Sequence, residues 1–101
     1  MPKFKVAVDH SLDRDAALSK LQGFSDRIKE QAPVAVTDVK EDWDDQGNLV
    51  FGFTAMGFTI SGQMVTTGSD VKVTGEMPFA ALPFRGMIEK EVESKIREAI
   101  A

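Results

Sequence analysis

The sequence predicts a two-layer α+β domain: an antiparallel sheet of about five strands with two helices on one face, in the order β-α-β-β-β-β-α. Three observations predict it. Several extended segments alternate apolar and polar residues, the period of a strand with one buried face. Two other segments space apolar residues three and four apart, the mark of a helix with a single buried stripe. Short turn-forming breaks join the last four strands, so these run antiparallel, and both helices must share the apolar face of the sheet.

Taken in order, "KFKVAVDH" sets Phe4, Val6 and Val8 against Lys3, Lys5 and Ala7, a first strand. The lone histidine, His10, falls on the Phe4 side at its end. A helix then starts from Ser11 as N-cap, with Asp13 and Asp15 in its first turn and Ala17, Leu21, Phe24 and Ile28 as its stripe. Pro33 ends it. "VAVTDVKEDW" is a second strand whose register the sequence leaves open, and "DDQGN" is a turn. If Met56 and Gly57 form the next turn, Ala55 opposes Phe58, Phe53 opposes Ile60, Phe51 opposes Gly62 and Leu49 opposes Met64. A second hairpin through "TGSD" places Val73 opposite Met64, Gly75 opposite Gly62 and Met77 opposite Ile60. The final helix sets Ile88, Val92, Ile96 and Ala99/Ile100 toward the sheet. Glu91 with Lys95, and Glu93 with Arg97, stand at i,i+4 spacing on its solvent side. Such a helix runs about 25 Å, against about 23 Å for a seven-residue strand. It can therefore cover the sheet lengthwise, a reduced helix-grip-like arrangement.

The chain has 101 residues, read as one domain over residues 1–101, since a core of this size buries roughly 60 to 70% of the unfolded surface. Sixteen acidic against twelve scattered basic residues give a net charge of −4, which argues against nucleic acid as a partner. There is no cysteine, and "MPKFKVAV" is too short and charged for a signal peptide, so a reducing, cytoplasmic location is expected. From Gln46 to Ser69 no residue is charged, but recurrent glycines and period-two alternation make this a hairpin and not a bilayer-spanning helix.

Few residues suggest chemistry. His10 could serve as a general base, yet no nucleophile motif accompanies it, and its plainer role is to close the strand with a hydrogen bond at the helix entrance. No catalytic residue, metal ligand set or cofactor is assigned, since "EDWDD" lacks the glycine and terminal glutamate of a calcium loop. Trp43, before a turn, is either an anchor at the end of the sheet or a contact residue, and the acids around it read as a solvated turn. Phe51 lies beside Gly62 and Gly75, where it either covers bare backbone or borders a notch for a ligand. "PFAALPF" is unusually apolar for a connection, and Phe79, Leu82 and Phe84 either close the core or form an apolar rim. The outward residues Val50, Gly52, Thr54, Thr59, Ser61, Gln63, Val65 and Thr67 carry no charge, as a face that meets a homodimer partner would.

"DHSLDRDAALSKL", the lone Trp43, "GFTISGQMVTTGSDVKVTGEMP" and "LPFRGMIEKEVESKI" together resemble the polyhydroxyalkanoic acid system family of small bacterial proteins, over nearly the whole chain. His10, Gly62 and Pro83 match its pattern. The resemblance implies a cytoplasmic role in polyester granule formation or regulation, with the granule or its coat proteins as partners, and brings no established active site. The expectation is thus a non-enzymatic accessory or binding protein. Alternatives are a carrier holding a small hydrophobic molecule between the final helix and the sheet, and an enzyme using His10.

Overall fold

In a computed structural model, which describes residues 2–101, β1 (Lys3–Asp9), β2 (Val36–Trp43), β3 (Leu49–Ala55), β4 (Phe58–Thr66) and β5 (Asp70–Glu76) form one sheet in the order β1-β5-β4-β3-β2. Every neighbouring pair is antiparallel. The expected register holds throughout the β3–β4 hairpin, from Leu49↔Met64 to Ala55↔Phe58. Met56 and Gly57 both take positive φ (55° and 80°), the turn geometry that matches the twist of two adjoining strands. In β4–β5, Gly62↔Gly75 and Met64↔Val73 also form as expected. The ladder stops at Ser61↔Glu76, one pair short of Met77↔Ile60, and the Met77 N–H donates to the Pro2 carbonyl (3.0 Å) beside β1. The register of β2 includes a bulge: between Thr37 and Lys40 the pairing shifts, with Asp38 at φ 53°.

The helices depart from expectation. The single helix expected after His10 is two, α1 (Arg14–Leu21) and α2 (Phe24–Gln31), broken at Gly23, whose φ of 80° no helix contains. The cap is Asp13 rather than Ser11, its carboxylate accepting the Ala16 N–H at 2.7 Å. The break turns the chain without losing the stripe: Ala17, Leu21, Phe24 and Ile28 are all buried. A 3-10 helix (Phe79–Phe84) leads into α3 (Arg85–Ile100). Ile88, Val92, Ile96 and Ala99 of α3 join the inward faces of all five strands in one core. Lys95, expected in solvent, is buried. Its ammonium lies 3.7 Å from Glu91 and 3.5 Å from Glu98 on the same helix, while Glu93 and Arg97 pair outside at 2.9 Å.

Candidate functional site

The chain leaves β5 at the end of the sheet that also holds the Met56–Gly57 turn and the start of β2. Pro78 is extended, and the following 3-10 turn is closed by the Ala81 N–H on the Pro78 carbonyl (3.0 Å). Three residues per turn bring Phe79 and Leu82 onto one line, Ala81 and Phe84 onto another. Ala81 is fully buried and Phe84 leans on Phe58, with ring centroids 6.0 Å apart. This leaves Phe79 72% and Leu82 40% exposed. Met87, one turn further along α3, is also exposed. It borders an apolar crevice of about 30 Å³ walled by Ala32, Val34, Met56 and Ile88. Burying a Phe side chain stabilises a protein by roughly 1.5–3 kcal/mol, so a largely exposed Phe79 beside Leu82, Phe84 and Met87 makes this end a candidate contact surface.

Trp43 does not belong to this surface. It pairs with Leu49 at the opposite end of β2 from Val36, about 20 Å away at the rise of a strand. Half-buried against the core, it donates its indole N–H to Glu41 Oε2 at 2.9 Å. Glu41, expected in a solvated turn, is instead a cap: its carboxylate also accepts the Ser25 N–H (2.9 Å) and the Gly23 N–H (3.3 Å) at the start of α2, where Gly23 has no side chain to do so. Burial pushes the Glu41 pKa up, but the hydrogen bonds from Trp43, Ser25 and Gly23 outweigh it and hold the group below the ordinary carboxylate range. Asp44 does form the expected turn, accepting the Gln46 and Asn48 N–H groups.

On the core side of the sheet the space at Gly62 and Gly75 is filled. The Phe51 ring lies over Gly62, where an added Cβ would stand 2.8 Å from Phe51 Cζ, and the Phe4 ring covers Gly75 more closely still. Phe51 is also packed edge-on by Phe24, centroids 5.6 Å apart. The crevice beside Met87 has room for a water molecule or so, far below the roughly 300 Å³ of a ligand pocket.

His10 sits where β1, the α1 entrance and the β4–β5 turn meet. The Leu12 N–H donates to its Nδ1 (3.1 Å), so the proton is on Nε2, which donates to the Thr67 carbonyl (2.9 Å). Its own N–H binds the Ser69 carbonyl at 2.9 Å. Both ring nitrogens are thus engaged by backbone. Sequence reasoning missed Met87 and Phe58 in the apolar end. Both are in helical or strand pattern, and only the packing of the 3-10 helix brings them beside Phe84.

Among the described residues, no helix is long and apolar enough to cross a membrane. Solved structures with the same fold include a protein of Nitrosospira multiformis (TM-score 0.61, 8% identity, covering 99% of this chain and 97% of that one). A protein of Thermus thermophilus aligns at TM-score 0.58 and 17% identity over 98% and 94% of the two chains. Truncated norcoclaurine synthase from Thalictrum flavum aligns at 0.56 and 10% over 98% and 90%. At such identities these likenesses establish the helix-grip fold alone. No curated protein sequence matches the chain. The family described as "Putative polyhydroxyalkanoic acid system protein" matches residues 4–100, and its description names a system, with no reaction. The chain therefore belongs to the polyhydroxyalkanoic acid system protein family.

Proposed function

We propose that this protein is a non-enzymatic, cytoplasmic accessory of the polyhydroxyalkanoate storage-granule system that attaches through its apolar end to the polyester surface. The observation that carries this reading is the joint exposure of Phe79, Leu82, Phe84 and Met87 at one end of the molecule. A water-insoluble polyester offers an apolar surface without a shaped binding partner, and an exposed apolar patch suits such a surface better than a pocket does. The filled glycine notch and the small crevice weigh against a carrier, and the engaged nitrogens of His10 weigh against a general base.

The test is co-sedimentation with protein-free polyhydroxyalkanoate particles. Phe79→Asp combined with Leu82→Asp should weaken binding at least tenfold, taking about 1.5 kcal/mol or more for the lost apolar contact. The thermal midpoint should not move, because both side chains are exposed. Undiminished binding by the double variant would reject attachment through this end.

A second contact is favoured by Val50 and Val65, 51% and 43% exposed among the uncharged outward residues of β3 and β4. Two copies of the chain meeting there would form a homodimer that leaves the apolar end free.

A further inference from the structure

Charge is segregated along the molecule. At the end away from Phe79 lie Asp9 and Asp70 on paired strand termini, Asp13 and Asp15 at the α1 entrance, Asp42, Asp44 and Asp45 around the β2–β3 turn, and Glu98 in the last turn of α3. Four basic residues share that end: Arg14, Lys20, Lys72 and Arg97. Eight acids against four bases leave a surplus of four negative charges, which equals the net charge of the whole chain, −4. The remaining acids and bases cancel, eight against eight. Three of the acids at this end, Asp15, Asp42 and Asp45, are exposed and enter no side-chain hydrogen bond or ion pair among the described residues.

We propose that the protein stands end-on at the polyester–water boundary, apolar end seated on the polymer and acidic end outward, so that a bound layer gives the particle a negative surface. This inference rests on the attachment proposed above and adds its direction and consequence. A charge at an apolar boundary is costly to desolvate, whereas the exposed side chains of Phe79, Leu82, Phe84 and Met87 gain by leaving water, so the two ends drive the same orientation. Particles whose outer layer carries like charge repel one another over about a Debye length, roughly 8 Å at physiological salt, and resist coalescence. The chemistry recognised is thus a bulk apolar phase, and the acidic end serves as its new interface with water.

The chain contains no cysteine, so a single introduced thiol reports its own surroundings. Asp45→Cys and Ala80→Cys place one at each end, both at exposed positions. On polyhydroxyalkanoate particles, an uncharged maleimide should label Asp45→Cys at its solution rate and Ala80→Cys at least tenfold more slowly. In the same preparation, wild-type protein should make particle mobility more negative. Asp15→Asn/Asp42→Asn/Asp45→Asn, with three of four net charges removed, should bind equally but shift mobility about fourfold less. Equal labelling at both ends, or a triple variant that shifts mobility as far as wild type, would overturn the orientation while leaving attachment intact. Wild-type protein that stays off the particles would overturn both.

Discussion

An alanine at position 75 would drive its methyl group into the Phe4 ring and to 2.7 Å from the Ser61 carbonyl oxygen. The ring belongs to a fully buried side chain and the carbonyl to the central ladder, so neither can withdraw without disturbing the core. Gly75→Ala should therefore cost about 3 kcal/mol, read as a lower urea midpoint with an unchanged slope. At Gly62 the nearest atoms are the tip of the Phe51 ring at 2.8 Å and the Thr74 carbonyl at 3.0 Å, so Gly62→Ala should cost about 1–2 kcal/mol. The reverse ranking would mean that these rings do not set the shape of the sheet. Phe51 over Gly62 is legible in the sequence, because a two-residue turn fixes which residues oppose each other. Phe4 over Gly75 is not, since β1 and β5 lie at opposite ends of the chain and no local turn sets their register. Trp43 illustrates the same limit. Its indole partner, Glu41, is two residues away, and the spacing alone leaves open whether that carboxylate faces water or a helix terminus.

At the scale of elements, the clearest dependence is that of α2 on β2. Gly23 supplies the backbone turn but no capping oxygen, and the Glu41 carboxylate accepts the N–H groups that would otherwise go unpaired. These bonds favour the charged form, so the pKa of Glu41 in the folded protein is below its unfolded value near 4.5. Its stabilisation is then fully present above about pH 4.5 and is lost as pH falls through the lower, folded-state value. Glu41→Gln should lower stability by about 1 kcal/mol at pH 7 and flatten the acid limb of the stability curve, as measured by urea unfolding between pH 7 and pH 3. An acid limb identical to wild type would show that the carboxylate is not the cap. The two helices within "SLDRDAALSKLQGFSDRIKEQ" escape a periodicity argument because the apolar spacing runs straight through the break. The chain turns at Gly23 while Leu21 and Phe24 both stay in the core. Lys95 escapes for a related reason: i,i+4 spacing from Glu91 identifies a pair but not whether its helix face is covered by α1 and α2.

For the molecule as a whole, the two candidate contact surfaces are separable, because the outer sheet face and the apolar end point in different directions. The strand pattern makes the uncharged outward residues of β3 and β4 and the "PFAALPF" rim legible, whereas the convergence of Phe58 and Phe84, and the gathering of net charge at one end, require the fold. Ser61 sits at the centre of the outer face, between Gly52 on β3 and Glu76 on β5. A lysine there can lie toward Glu76, so Ser61→Lys should leave the unfolding midpoint within about 0.5 kcal/mol of wild type. Across a two-fold interface the same substitution adds a charge that must lose its water, and in a self-contact it does so twice. Sedimentation equilibrium should accordingly find the homodimer of Ser61→Lys weakened at least tenfold, with particle binding through Phe79 unchanged. A dimer as tight as wild type would move the self-contact elsewhere, and loss of particle binding with the fold intact would mean that the polyester meets the sheet face instead of the 3-10 helix.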